Sequence, residues 1–163
     1  MERQLFLISS LPRKPSSTYK TMLDFSHDML PDMYNLFQAT DTIWPEQCEQ
    51  AICNMRKLEV LFERQKTVLN MSPTPSYTSD EYATLHCKLG VALAHADELT
   101  QKLISLFSTF QSCCHSQSRK TKRTKEEIVY YLTLFSHHYK SVLQKTQKIH
   151  ALQDQARFLS IQP

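Results

Sequence analysis

Residues 82–110 read YATLHCKLGVALAHADELTQKLISLFSTF, and the intervals in this stretch decide the fold class. Tyr82, Leu85, Leu89, Ala92, Ala96, Leu99, Leu103, Leu106 and Phe110 follow one another at alternating steps of three and four. The 3.5-residue average keeps one helical stripe turned toward a partner helix. Leu93 and Phe107 widen that stripe beyond a two-stranded seam, toward the face a bundle needs. Thr78 and Glu81 form a capping-box pair ahead of it.

A second repeat follows. Ile128, Tyr131, Phe135, His138, Val142, Lys145, Ile149, Leu152, Ala156 and Leu159 keep the same alternation, with Thr124 and Glu127 as a second capping-box pair. Leu132, Tyr139 and Leu143 broaden its first half, and past residue 144 the stripe narrows. The two segments are expected to run antiparallel across a connection at 113–123.

Toward the amino terminus, Met22, Phe25, Met29, Met33 and Phe37 place a helix over Thr21–Ala39. Pro31 interrupts its hydrogen-bond ladder, which predicts a kink or two shorter helices. Pro45 suits a first helical turn, and Cys48, Ile52, Met55, Leu58, Phe62 and Leu69 carry a helix over 45–70. The expected fold is all-α: a four-helix bundle, or an elongated antiparallel helical or coiled-coil assembly. Its organisation is a flexible amino arm at 1–20, one helical domain at 21–160, and a tail at 161–163. A proline-rich linker at 71–79 and a basic linker at 113–123 divide the domain. The expected core is Met29, Met33, Ile52, Met55, Phe62, Leu85, Leu89, Ala96, Leu99, Leu103, Phe135, Val142 and Ile149.

Composition narrows the chemistry. Gly90 is the single glycine in 163 residues, which disfavours phosphate-cradling loops and nucleophile elbows that need several. Five cysteines at irregular spacing do not form a disulfide framework and point to a reducing, intracellular compartment. The LFLI run at 5–8 is too short for a usual signal-peptide core, and no stretch reaches a membrane-spanning length.

Candidate catalytic and metal groups fall away in turn. Seven histidines include no H-E-x-x-H pattern and no Glu-x-x-His pair of a di-iron bundle. Cys113-Cys114-His115 lacks the spacing and the second pair of a zinc knuckle. Asp24, Asp28 and Asp32 share a helical face with no ligand loop beside them and read as solvated. The sequence therefore points to no enzyme, no cofactor and no metal.

What remains is interaction. Residues 1–81 carry eight Lys/Arg and eleven Asp/Glu, a balance of −3, whereas residues 82–163 carry eleven and five, a balance of +6. Five of those cations, Arg119, Lys120, Lys122, Arg123 and Lys125, stand within seven positions. They read as a solvated basic turn, a nuclear-targeting segment or a phosphate contact, and Ser72-Pro73 and Thr74-Pro75 are short phosphorylation patterns. The expectation is a non-enzymatic protein–protein interaction or scaffold subunit within a larger complex, in the nucleus or the cytoplasm. Its docking candidates are Met22, Phe25, Met29, Met33 and Phe37, and the narrow stripe at Ile149, Leu152, Ala156 and Leu159. A second copy of the chain is an alternative partner. A nucleic-acid-associated factor using 119–125 and a helical cytokine-like factor are the alternative functions.

Overall fold

The computed structural model describes residues 17–71, 80–116 and 118–161, with the backbone alone given for residues 17, 71 and 156–161. Residues 1–16 of the arm, most of the proline-rich linker with Thr78 and the two Ser/Thr-Pro patterns, and residues 162–163 lie outside the described residues. Within them every element is helical, and the helices pack on one another as a bundle. The elements are α1 (Ser17–Asp24), a π-helical turn (Phe25–Met29), α2 (Leu30–Ala39), α3 (Pro45–Met71), α4 (Asp80–Cys113) and α5 (Arg119–Ile161).

Cross-helix bonds set the topology. Tyr139 Oη donates to the Met22 carbonyl at 2.6 Å and Lys125 Nζ to the Thr40 carbonyl at 2.6 Å, so the α1–α2 rod runs antiparallel to α5. Gln111 Nε2 donates to the Pro45 carbonyl while His86 Nε2 meets the Leu69 carbonyl, so α4 runs antiparallel to α3. Gln153 Nε2 reaches Tyr82 Oη, and Thr121 Oγ1 donates to the Cys113 carbonyl, fixing α4 against α5 in the same sense. The result is an up-down-up-down bundle of four rods.

The expected interruption near Pro31 takes the form of two α-helical segments, Ser17–Asp24 and Leu30–Ala39, joined by the π turn Phe25–Met29. The first rod begins at Ser17, four residues before the expected Thr21, and continues through a five-residue turn in which the Leu30 amide donates to the Phe25 carbonyl. A proline ring clashes with the carbonyl four residues back, and a widened π turn directly ahead of Pro31 gives the ring that room. The extra residue also moves the stripe: Met22, Phe25, Leu30, Met33 and Phe37 are buried, while Met29 is 37% exposed. Met29 is therefore not a core residue, because Leu30 takes its place.

The helix starts obey local chemistry. At α3, the Trp44 carbonyl accepts from the Gln47 and Cys48 amides, Gln47 Oε1 accepts from the Trp44 amide at 2.8 Å, and Pro45 opens the first turn. Helix α5 starts at Arg119, five residues before the expected cap at Thr124. Ser118 caps it: Oγ accepts from the Thr121 amide at 3.2 Å, and the Ser118 carbonyl from the Lys122 amide. Thr124 is an interior residue, buried, with its hydroxyl donating back to the Lys120 carbonyl. Arg119–Lys125 is thus the first two turns of α5 and not a loop.

Two aromatic clusters fill the centre. Phe37 stacks on Phe107 at 5.1 Å and meets Phe110 edge-on; Tyr139 contacts Phe25, Phe62 and Phe135 at 5.5–6.0 Å between ring centroids. Around them Met55, Leu58, Leu89, Leu93, Ala96, Leu103, Ile128, Leu132 and Val142 are fully buried. Each of the large aliphatic side chains among these contributes roughly 1.5–3 kcal/mol of transfer free energy. Leu85 and Leu99, expected in the core, are half-buried at its edge.

Candidate interaction surfaces

The bundle consumes one of the two expected docking stripes. Met22, Phe25, Met33 and Phe37 have at most 4% of their surface exposed and face α3, α4 and α5. They offer a partner nothing while the bundle is intact, and Met29 is left as an isolated exposed side chain. The second stripe divides. Ile149 is buried in the chain's own core, Leu152 is half-buried, and the side chains of Ala156 and Leu159 lie outside the described residues.

Leu152 lies in a groove of about 580 Å³ between the first turns of α4 and the last turns of α5. Leu85 faces it across the seam, with Thr84, Ala151 and Gln155 completing the apolar-to-polar floor. Asp80 and Glu81 stand at one end and Lys88 and Lys148 further along, so the rim carries both signs. Gln153–Tyr82 pairing puts Asp80 roughly level with Gln155, and the α5 backbone continues helically for six more residues, about 9 Å. Among the described residues, the groove therefore lies beside the last turns of α5, which continue beyond the first residue of α4.

Two further grooves differ in character. One, of about 620 Å³, has exposed Val60 and Val68 on its floor and Glu59, Glu63, Arg64, Asp97 and Gln101 around it. Its acidic groups are already paired within the chain: Lys66 with Glu63 and Asp97, Arg56 with Glu59, and Gln101 with Glu59. Another, of about 320 Å³, centres on exposed Val91 and on the His95–His138 pair, whose rings stack at 5.7 Å. His138 is half-buried there, on the α5 stripe.

At the opposite end of the bundle, Arg119, Lys120, Lys122 and Arg123 are exposed and Lys125 is half-buried against Thr40. Among the described residues, the ion pairs do not involve any of the five. The first turn of α5 contains no acidic residue, so these cations add to the positive end of the helix dipole instead of offsetting it. Trp44 is 61% exposed in the adjoining 40–44 connection.

Asp24, Asp28 and Asp32 are exposed to solvent. Among the described residues, no group of three or more His, Cys, Asp or Glu is placed to hold a metal ion, and no helix is long and apolar enough to cross a membrane. One grouping was not legible in the sequence: Gln111 donates to the Pro45 carbonyl and the Glu49 carboxylate, which brings the Cys48 turn of α3 near the Cys113–Cys114 end of α4. Burial, reinforced by the Cys114 and Cys113 thiols, pushes the Cys48 thiol up to about 12. No protein-family model, curated protein or solved structure matches this chain.

Proposed function

We propose that this protein is a non-enzymatic interaction subunit that docks a helical partner protein in the Leu85–Leu152 groove, within a larger complex. One observation carries the reading: a half-exposed leucine pair lies between two long helices, beside an α5 end that continues beyond the described start of α4. An amphipathic partner helix laid in such a groove covers the two leucines, while Asp80, Glu81, Lys88 and Lys148 select its orientation. Burying both leucines further is worth about 2 kcal/mol. The exposed Arg119–Arg123 turn supports a nuclear location for that complex.

The test begins with partners captured by affinity purification and continues with direct titration of each purified partner. The variant L85E/L152E is expected to lose about 30-fold in affinity while keeping its helical circular dichroism. Unchanged affinity in the folded variant rejects the groove. Light scattering of the chain alone separates a second copy from a different partner protein.

A further inference from the structure

The two grooves on the α4–α5 seam are parts of one track, because Lys88 lines both. Its register is fixed at two points: Gln153 Nε2 reaches Tyr82 Oη at 3.2 Å, and the His95 and His138 rings stack at 5.7 Å. One heptad back along α4 from His95 is Lys88, and one heptad on along α5 from His138 is Lys145. The seam is antiparallel, so these two lysines stand level across it, in one groove. Exposed Lys148 follows one turn later on α5, beside Leu152. In the other direction, a further heptad along each helix, Lys102 Nζ lies 5.4 Å from the centre of the Tyr131 ring. Acidic groups stand at the start and edge of the track: Asp80 and Glu81 at one end, and exposed Glu98, 3.7 Å from His95 Nδ1. Asp97 turns away, toward Lys66 of α3. Among the described residues, the groove between Lys88 and His95 has no acidic residue in its lining, and its floor is buried Ala92 and Val91, 54% exposed.

We infer that this track docks an acidic amphipathic helix of a partner protein, laid parallel to α4 from Asp80 to the His95–His138 pair. The inference rests on docking at the Leu85–Leu152 groove and adds the partner's charge, length and direction. From Asp80 to His95 the track runs about 22 Å, so the docked helix has about 15 residues in about four turns. Apolar side chains one turn apart cover Leu85, Leu152 and Val91. Asp and Glu from its second turn onward meet Lys148, Lys145 and Lys88, and the two imidazoles close the far end with N–H donors. Its first turn, beside Asp80 and Glu81, is basic or neutral. The helix dipole adds to this direction, with its positive end at the two acids and its negative end at the lysines and histidines.

The floor selects this occupant over another polyanion. The lysines flank Leu85, Leu152 and Val91, which an amphipathic helix covers and a phosphate backbone leaves wet. The two signs of charge along the track also discriminate: a uniformly acidic strand meets repulsion at Asp80 and Glu81, whereas a helix acidic only beyond its first turn does not.

The full chain is panned against a displayed library of helix-forming peptides of about 16 residues, and the enriched peptides are titrated by fluorescence anisotropy. Enriched sequences are expected to carry Asp or Glu from the second turn onward, and none in the first. The variant K88E/K148E changes two exposed positions, and circular dichroism checks that its fold is kept. It is expected to bind these peptides at least about tenfold more weakly in about 0.05 M salt, with a smaller difference in about 0.5 M salt. Exchanging the peptide's acids for lysines is expected to restore binding to that variant. Peptides without the acidic bias, or binding K88E/K148E as tightly as the wild type, overturn the inference; where L85E/L152E still abolishes their binding, docking at the leucine groove stands. No enrichment, or indifference to both variants, overturns both readings. Displacement of the bound peptide by an oligouridylate of equal affinity assigns the track to nucleic acid, and a wild-type dimer that K88E/K148E dissociates assigns it to a second copy; either result overturns the inference.

Discussion

Replacing Tyr139 by phenylalanine removes one oxygen from the middle of the bundle and tests how the first rod is anchored. The Tyr139 hydroxyl is fully buried and donates to the Met22 carbonyl at 2.6 Å, in the turn just before the π segment. The ring keeps its contacts with Phe25, Phe62 and Phe135 in the variant, so no large cavity opens. The cost is the net bond, about 0.5–1.5 kcal/mol, or up to about 3 kcal/mol where the buried carbonyl is left unpaired. A loss of about 1.5–2.5 kcal/mol is expected, which lowers Tm by roughly 4–8 °C for a chain of this size. Urea unfolding followed by circular dichroism measures it, with an unchanged m-value confirming that the native state is the same. A loss below about 0.5 kcal/mol refutes the view that this bond holds the first rod to α5.

Three other perturbations follow from the same packing. A Cβ added at Gly90 meets no atom within 4 Å, so Gly90→Ala is expected to stabilise α4 by about 0.5–1 kcal/mol through helix propensity, read as a higher urea midpoint. Thr146 Oγ1 is buried without a hydrogen-bond partner among the described residues; Thr146→Val keeps its shape and is expected to gain about 1 kcal/mol in the same assay. The Cys48 thiol is raised from its ordinary 9.0 to about 12 by burial and then by the Cys114 and Cys113 thiols. Its stabilisation is thus fully present below pH 9 and lost as pH rises through 12. Cys48→Ala is expected to flatten the fall in stability across that window, measured by urea titrations at stepped pH.

The sequence made the long helices legible because two uninterrupted three-four repeats leave no other period open. It also placed the start of α3 within a residue, through Pro45 and the acid behind it. It misled where one local rule overrode another. The five-residue step from Phe25 to Leu30 is invisible to a 3.6 period, which takes Met29 into the stripe and passes over Leu30. At α5, the Thr124–Glu127 pair points to a later start. Ser118 caps the helix anyway, and Arg and Lys are good helix formers. Availability was the harder reading. Met22–Phe37 and Leu85–Leu152 are both amphipathic in sequence, and only the three-dimensional packing separates a face turned inward from one left open. The approach of the first turn of α3 to the end of α4, made through Gln111, has no sequence signal at all.

Hydrogen exchange of the chain alone and saturated with a purified direct partner tests the central claim, that the first rod belongs to the core and docking falls to the α4–α5 end. Amides of 22–37 are predicted to be as protected in the free chain as those in the middle of α5, and unchanged on binding. New protection is predicted at 80–88 and 145–155. Fast exchange of 22–37 in the free chain, with the gain in protection on binding falling there instead, contradicts the account.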